Sequence, residues 1–140
     1  FPKLWSLSCE NNRLTELPGF PKLWFLSCGH NRLTELPCFP KLTTLWCYDN
    51  RLTRLPLFPK LRHLYCGSNQ LTELPEYPEL TELSCDHNPL EMVPYYPKLT
   101  KIDLAGCPVS SLMADPTDVE EYHRLWKSHA ECRKKSARSY

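Results

Sequence analysis

Hydrophobic and polar positions recur along the chain with a period of nineteen residues. Four closely similar segments begin with an aromatic-proline pair at Phe1, Phe20, Phe39 and Phe58. A fifth, looser copy begins at Tyr77, and a sixth begins at Tyr96 and loses the pattern after Leu104. Self-similarity at a fixed period is the mark of a solenoid, in which each unit buries its apolar face against its neighbours. The pattern therefore predicts one stacked-repeat domain over residues 1–113.

Each unit contains a segment in which two leucines and a cysteine alternate with variable residues. This period of two predicts a short β-strand with one inward and one outward face, and stacked copies would form a parallel sheet. The opposite side of each unit carries two prolines, which exclude a regular helix and favour polyproline or 3₁₀ geometry.

The repeated framework, L-x-x-L-x-C-x-x-N-x-L-T-x-L-P, resembles the leucine-rich-repeat pattern with Cys in place of the third Leu. The short unit and its closing Leu-Pro are similar to the repeats of bacterial effectors of the YopM and IpaH type and to Cys-containing repeats of giant DNA viruses. The resemblance implies a leucine-rich-repeat solenoid of the α/β horseshoe type, with mostly parallel strands and a polyproline or 3₁₀ convex side.

The resemblance also implies a function. A repeat of this kind is expected to bind a protein partner on its concave face, without catalysis and without a small-molecule substrate. A static role in a large assembly, such as a giant-virus virion or capsid, is the alternative. A more remote alternative is the repeat fragment of an effector ubiquitin ligase, although residues 114–140 are too few for the large ligase domain of the IpaH type.

One asparagine recurs at the end of each predicted strand, at Asn12, Asn31, Asn50, Asn69 and Asn88. Its amide can satisfy backbone groups of its own unit and of the neighbouring unit. The spacing predicts a buried asparagine ladder, with Cys107 in the corresponding slot of the sixth unit.

Five cysteines recur with the same period, at Cys9, Cys28, Cys47, Cys66 and Cys85. In-register side chains point the same way, five cannot pair off, and no Cys-x-x-Cys suggests zinc. We expect buried free thiols and, because Cys38, Cys107 and Cys132 would mispair under oxidation, an intracellular reducing compartment. For an effector or a viral protein this would be the host cytosol or the virion.

The remaining composition narrows the function only slightly. The formal net charge is +1, which gives no general polyanion-binding surface, and no segment resembles a membrane span or a signal peptide. Because the chain opens at Phe1 without a Met, a removed upstream segment stays possible. No cofactor motif is present.

The outward strand positions vary between units and are the expected binding surface. They place an aromatic cluster on units two to four, formed by Phe25, Trp46, Tyr48, His63 and Tyr65. Trp24 extends this predicted site, and Glu82 and Asp86 supply a polar rim. Exposed aromatic clusters are typical of interfaces, whereas cross-strand stacking that only stabilises the sheet is the alternative.

One histidine and aspartate pair offers candidate metal-binding chemistry. His30 and Asp49 fall on adjacent strands, but two ligands do not make a metal site, and we expect no metal.

After residue 113, Thr117 with Glu120 fits a capping box, and an apolar stripe at helical spacing predicts a capping helix within residues 114–140. The stripe comprises Val119, Tyr122, Trp126 and Ala130. The basic run Arg133, Lys134, Lys135 and Arg138 suits a solvated helix end, with contact to nucleic acid or a membrane as the alternative.

Overall fold

The structure is a computed structural model that describes the backbone of residues 3–138 and the side chains of residues 3–129. Six three-residue strands form one parallel sheet in chain order: β1 (Ser6–Ser8), β2 (Phe25–Ser27), β3 (Thr44–Trp46), β4 (His63–Tyr65), β5 (Glu82–Ser84) and β6 (Lys101–Asp103). A 3₁₀ helix (Pro108–Leu112) and one α-helix, α1 (Val119–Arg138), follow. The predicted solenoid with a C-terminal helix is confirmed.

Strand pairing joins residues that are equivalent in successive repeats. Leu26 pairs with Leu45, and Leu45 pairs with Leu64, so that the inward leucines form a column. These leucines and the adjacent cysteines from Cys28 to Cys85 are fully buried. The constant repeat length forces this register, because a shift by one residue would turn the apolar set outward.

A second column stacks the aromatic residues that open the units. Ring centroids lie 6.2 Å apart between Phe39 and Phe58 and 6.4 Å apart between Tyr77 and Tyr96. Where Tyr replaces Phe, the buried phenol finds an acceptor: the Tyr77 hydroxyl donates to the Pro56 carbonyl at 2.9 Å. In units one to five the described residues of the proline-rich side form turns without a regular helix.

The asparagine ladder is present and links every pair of neighbouring units up to the fifth. The Asn50 amide nitrogen donates to the carbonyls of Cys28 and Cys47 at 3.0 and 3.1 Å, and its oxygen accepts the Leu33 N–H at 3.0 Å. Asn12, in the first repeat, is exposed and donates only within its own unit. In the sixth unit the Cys107 thiol replaces the amide and donates to the Cys85 carbonyl at 3.1 Å.

The residue before each ladder position ends the strand in a left-handed turn. Its φ lies between 53° and 58° at Asn11, His30, Asp49, Ser68 and His87, and is 72° at Gly106. Asn, Asp and Gly tolerate this conformation best, which explains the polar character of the column.

Helix α1 packs its predicted stripe against the fifth and sixth units. Tyr122 and Trp126 are buried, the Tyr122 hydroxyl accepts the Tyr96 N–H at 2.6 Å, and the Trp126 indole donates to the Val93 carbonyl at 2.8 Å. The side chains of Ala130 and of the basic run lie outside the described residues.

The predicted capping box was placed one residue too early. Asp118, not Thr117, caps α1, since its carboxylate accepts the N–H groups of Glu120 and Glu121 at 3.0 Å each. The Thr117 hydroxyl instead donates to Asp115 at 2.8 Å. No helix among residues 3–138 is both long enough and apolar enough to cross a membrane.

Cysteines within the described part of the chain are free thiols, and only Cys38 is exposed. Burial raises the pKa of the Cys28, Cys47 and Cys66 thiols. A hydrogen bond from the Cys85 thiol lowers the pKa of the Cys107 thiol to about 7. Cys107 is nevertheless buried, with 3% of its surface exposed to solvent. The side chain of Cys132 lies outside the described residues.

Candidate functional site

An almost continuous row of aromatic rings crosses the outward face of the sheet. We call Trp5, Trp24, Phe25, Trp46 and Tyr65 the aromatic row. Successive centroids lie 5.5, 6.3, 5.6 and 5.8 Å apart, distances at which aromatic rings interact. The row follows from sequence, because outward positions of paired strands lie side by side.

The three tryptophans of the row keep much of their surface in solvent. Trp5 is 58% exposed, Trp24 is 43% exposed and Trp46 is 38% exposed. Trp5 stacks on Trp24 with an interplanar angle of 8°. The predicted site omitted Trp5, although it occupies the same repeat position as Trp24 and that shared position could have identified it.

Two residues predicted in the same cluster lie beside the row and have other neighbours. The Tyr48 ring lies over Gly29, where a Cβ atom would collide with it, and meets the His30 ring edge-on at 5.2 Å. His63 is half-buried, and its Nδ1 lies 3.3 Å from the Thr44 hydroxyl. The structure therefore divides the predicted cluster into the row and its flank.

The predicted rim residues contact the end of the row. The Tyr65 hydroxyl donates to the Glu82 carboxylate, and this bond raises the pKa of Tyr65 to about 12. Asp86 accepts from the Ser84 hydroxyl at 3.1 Å, and its other oxygen lies 3.0 Å from His87 Nδ1. The bond to Asp86 raises the pKa of His87, since the carboxylate favours the imidazolium.

His30 and Asp49 contact each other across adjacent units. His30 Nδ1 lies 2.5 Å from Asp49 Oδ2, and both side chains are about half exposed. Within the described residues no group of three His, Cys, Asp or Glu side chains is placed to hold a metal ion.

Comparison with protein families identifies the repeats. A family model described as leucine-rich repeats (two copies) matches residues 40–79. No curated protein sequence matches significantly. The matched repeats, the parallel sheet and the asparagine ladder define the class of fold: residues 40–79 are leucine-rich repeats, and the chain has a leucine-rich-repeat fold.

Solved structures show which leucine-rich repeats are similar. YopM from Yersinia enterocolitica WA-314 is 37% identical with a TM-score of 0.70, over 75% of this chain and 25% of that chain. The Yersinia pestis YopM, described as a leucine-rich effector protein, is 29% identical with a TM-score of 0.61, over 76% of this chain and 38% of that one. The fold is therefore YopM-like, and the chain spans a quarter to two fifths of these relatives' length.

Proposed function

We propose that the chain is a non-catalytic module that binds a protein partner on its concave face through the aromatic row. The observation that carries the proposal is the exposure of Trp5, Trp24 and Trp46, between 38% and 58%, on one side of the sheet. Tryptophan and tyrosine are enriched among the residues that dominate binding energy at interfaces.

The arrangement of the row suits binding better than stabilisation of the sheet alone. Stacking between neighbouring rings supports the sheet, but it leaves the outer tryptophan faces in water. Such exposed apolar surface is unusual on a monomer unless a partner covers it. The half-exposed carboxylates of Glu82 and Asp86 would form the polar rim that surrounds an interface core.

The proposed setting is a reducing intracellular compartment. The cysteine column consists of free thiols from Cys9 to Cys85, and an oxidising compartment would expose Cys38 to mispairing. The similar Yersinia pestis protein is described as an effector, which supports a role in binding the proteins of a host.

Differential capture tests this function. The intact chain and the double variant Trp46→Ala/Tyr65→Ala serve as baits, and Glu35→Ala/Glu73→Ala is the control on the opposite side of the repeats. Because both aromatic positions point away from the leucine core, the double variant should fold like the parent, with a small loss of stability from the missing ring contacts.

A protein that the parent and the control capture, and that the double variant loses, supports the proposal. Equal recovery of the same proteins by all three baits would show that the aromatic row is not the binding site.

A further inference from the structure

A hollow of about 310 Å³ lies beside the aromatic row, at the carboxyl ends of β3 to β5. We call it the acidic hollow, and it is formed chiefly by Tyr48, Asp49, Tyr65, Gly67, Ser84 and Asp86. We infer that the acidic hollow receives an arginine side chain of the protein partner, an inference that rests on the proposed function.

Glycine forms part of the floor of the hollow. At Gly67 a Cβ atom would collide with the Asp86 carboxylate, which lies over the glycine. At the same position of the third unit Tyr48 has a full ring. Without a side chain at Gly67, the Asp86 carboxylate can lie at the floor of the hollow.

The walls of the hollow have the chemistry that recognises a planar cation. Tyr48 and Tyr65 supply aromatic rings, and a guanidinium group is attracted to ring faces and stacks on them. Tyr65 is also one end of the aromatic row, 5.8 Å from Trp46, so the hollow continues the proposed interface.

The charge of the hollow favours a cation over an anion. Asp49 and Asp86 line it together with His30, Glu82 accepts the hydroxyl of Tyr65 at its edge, and none of the lining residues is Lys or Arg. The hydrogen bond to Glu82 is the main cause of the raised pKa of Tyr65.

His30 and His87 contact these carboxylates, through Asp49 and Asp86 respectively. Each carboxylate has two oxygens that can accept further hydrogen bonds, so these contacts leave acceptor capacity free. A fixed guanidinium would then add charge-assisted hydrogen bonds to them.

An NMR titration with two matched probes tests the inference. N-acetylarginine amide carries the guanidinium group, and N-acetylcitrulline amide has nearly the same shape without the charge. The four glycine amides report the location of binding. Gly67 lies in the hollow. At Gly19 no atom lies within 4 Å of the position that a Cβ atom would occupy, and this amide serves as an internal control.

The arginine probe should shift the Gly67 amide in a saturable way and leave Gly19 unchanged. Citrulline amide should bind more weakly, by a factor of up to about five, which is the factor expected for the loss of one partly exposed ion pair. Asp86→Asn should weaken the arginine probe by a similar factor of about five, while Glu35→Gln, which changes charge equally on the other side, should not.

Equal responses to both probes, no response at Gly67, or an unchanged response in Asp86→Asn would overturn the inference. A melting curve of Asp86→Asn checks that the variant is folded. Loss of a captured protein in the Trp46→Ala/Tyr65→Ala variant but not in Asp86→Asn would retain the proposed function and reject the arginine site.

Discussion

Replacing one asparagine of the ladder tests how the stacked repeats are held together. In Asn50→Ala the buried Leu33 N–H loses its partner, the Asn50 oxygen, which accepts it at 3.0 Å. The carbonyls of Cys28 and Cys47 each lose one of two donors, because Asn31 and Asn69 also bond to them. The two N–H groups of the Asn50 amide also share a contact with the Tyr48 carbonyl at 3.3 Å, so that the substitution leaves one orphaned donor and three weakened acceptors.

The expected loss follows from these contacts. An unsatisfied buried group costs about 1–3 kcal/mol, and each further hydrogen bond contributes about 1 kcal/mol, so that Asn50→Ala should lower the free energy of unfolding by about 3–5 kcal/mol. Asn12→Ala is the matched control, since Asn12 is exposed and donates only to the Cys9 and Glu10 carbonyls of its own unit. Its cost should stay at about 1 kcal/mol or less.

Urea unfolding followed by circular dichroism measures both values. Asn50→Cys should fall between the alanine variant and the parent, because Cys107 already shows a thiol donating to the carbonyl of the preceding unit. Equal losses for Asn50→Ala and Asn12→Ala would refute the idea that the amide stabilises by linking neighbouring units.

Three further changes test the core, the cap and the thiols. Leu45→Ala empties a fully buried site between Leu26 and Leu64 and should cost about 2–5 kcal/mol in the same urea assay, whereas an unchanged midpoint would contradict the leucine column. Tyr122→Phe removes the acceptor of the buried Tyr96 N–H and should cost about 1–3 kcal/mol; a thermal midpoint equal to the parent's would argue against this contact as part of the cap. In native protein the four buried periodic cysteines from Cys28 to Cys85 should resist alkylation, because burial limits access and raises the thiol pKa, as at Cys47, while exposed Cys38 reacts. Denaturant should then expose all of them as free thiols by mass spectrometry, and masses lower by two hydrogens per pair would contradict the proposed reducing compartment.

The sequence predicts most of the ladder and part of the row because both depend on the constant period, but it did not predict that Asn12 is exposed or that Trp5 belongs to the row. Once units of nineteen residues stack in register, Asn31 must lie beside Asn50, and Trp46 must lie beside Tyr65. The hydrogen bonds of the ladder and the ring contacts of the row follow from that geometry.

Some features depend on which of several neighbouring residues makes a given contact, and the repeat period alone could not predict them. Thr117 and Asp118 both suit an N-cap, and Asp118, which directly precedes the first helical residue, makes the capping bond. Tyr48 lies apart from the row because Gly29 leaves room for its ring, a relation between units that a single column does not show. Ser27 occupies an outward position and is nevertheless fully buried, with its hydroxyl bonded to Glu10.

The affinity of the captured partner for the aromatic row is the most direct test of the proposed function. Calorimetric titration should show binding to the Trp46→Ala/Tyr65→Ala variant weakened by about thirtyfold or more, since a central aromatic anchor contributes about 2 kcal/mol or more. The Glu35→Ala/Glu73→Ala variant should bind like the parent, and all three proteins should unfold at similar urea concentrations. Parent-like affinity in the folded aromatic double variant would contradict binding through this face.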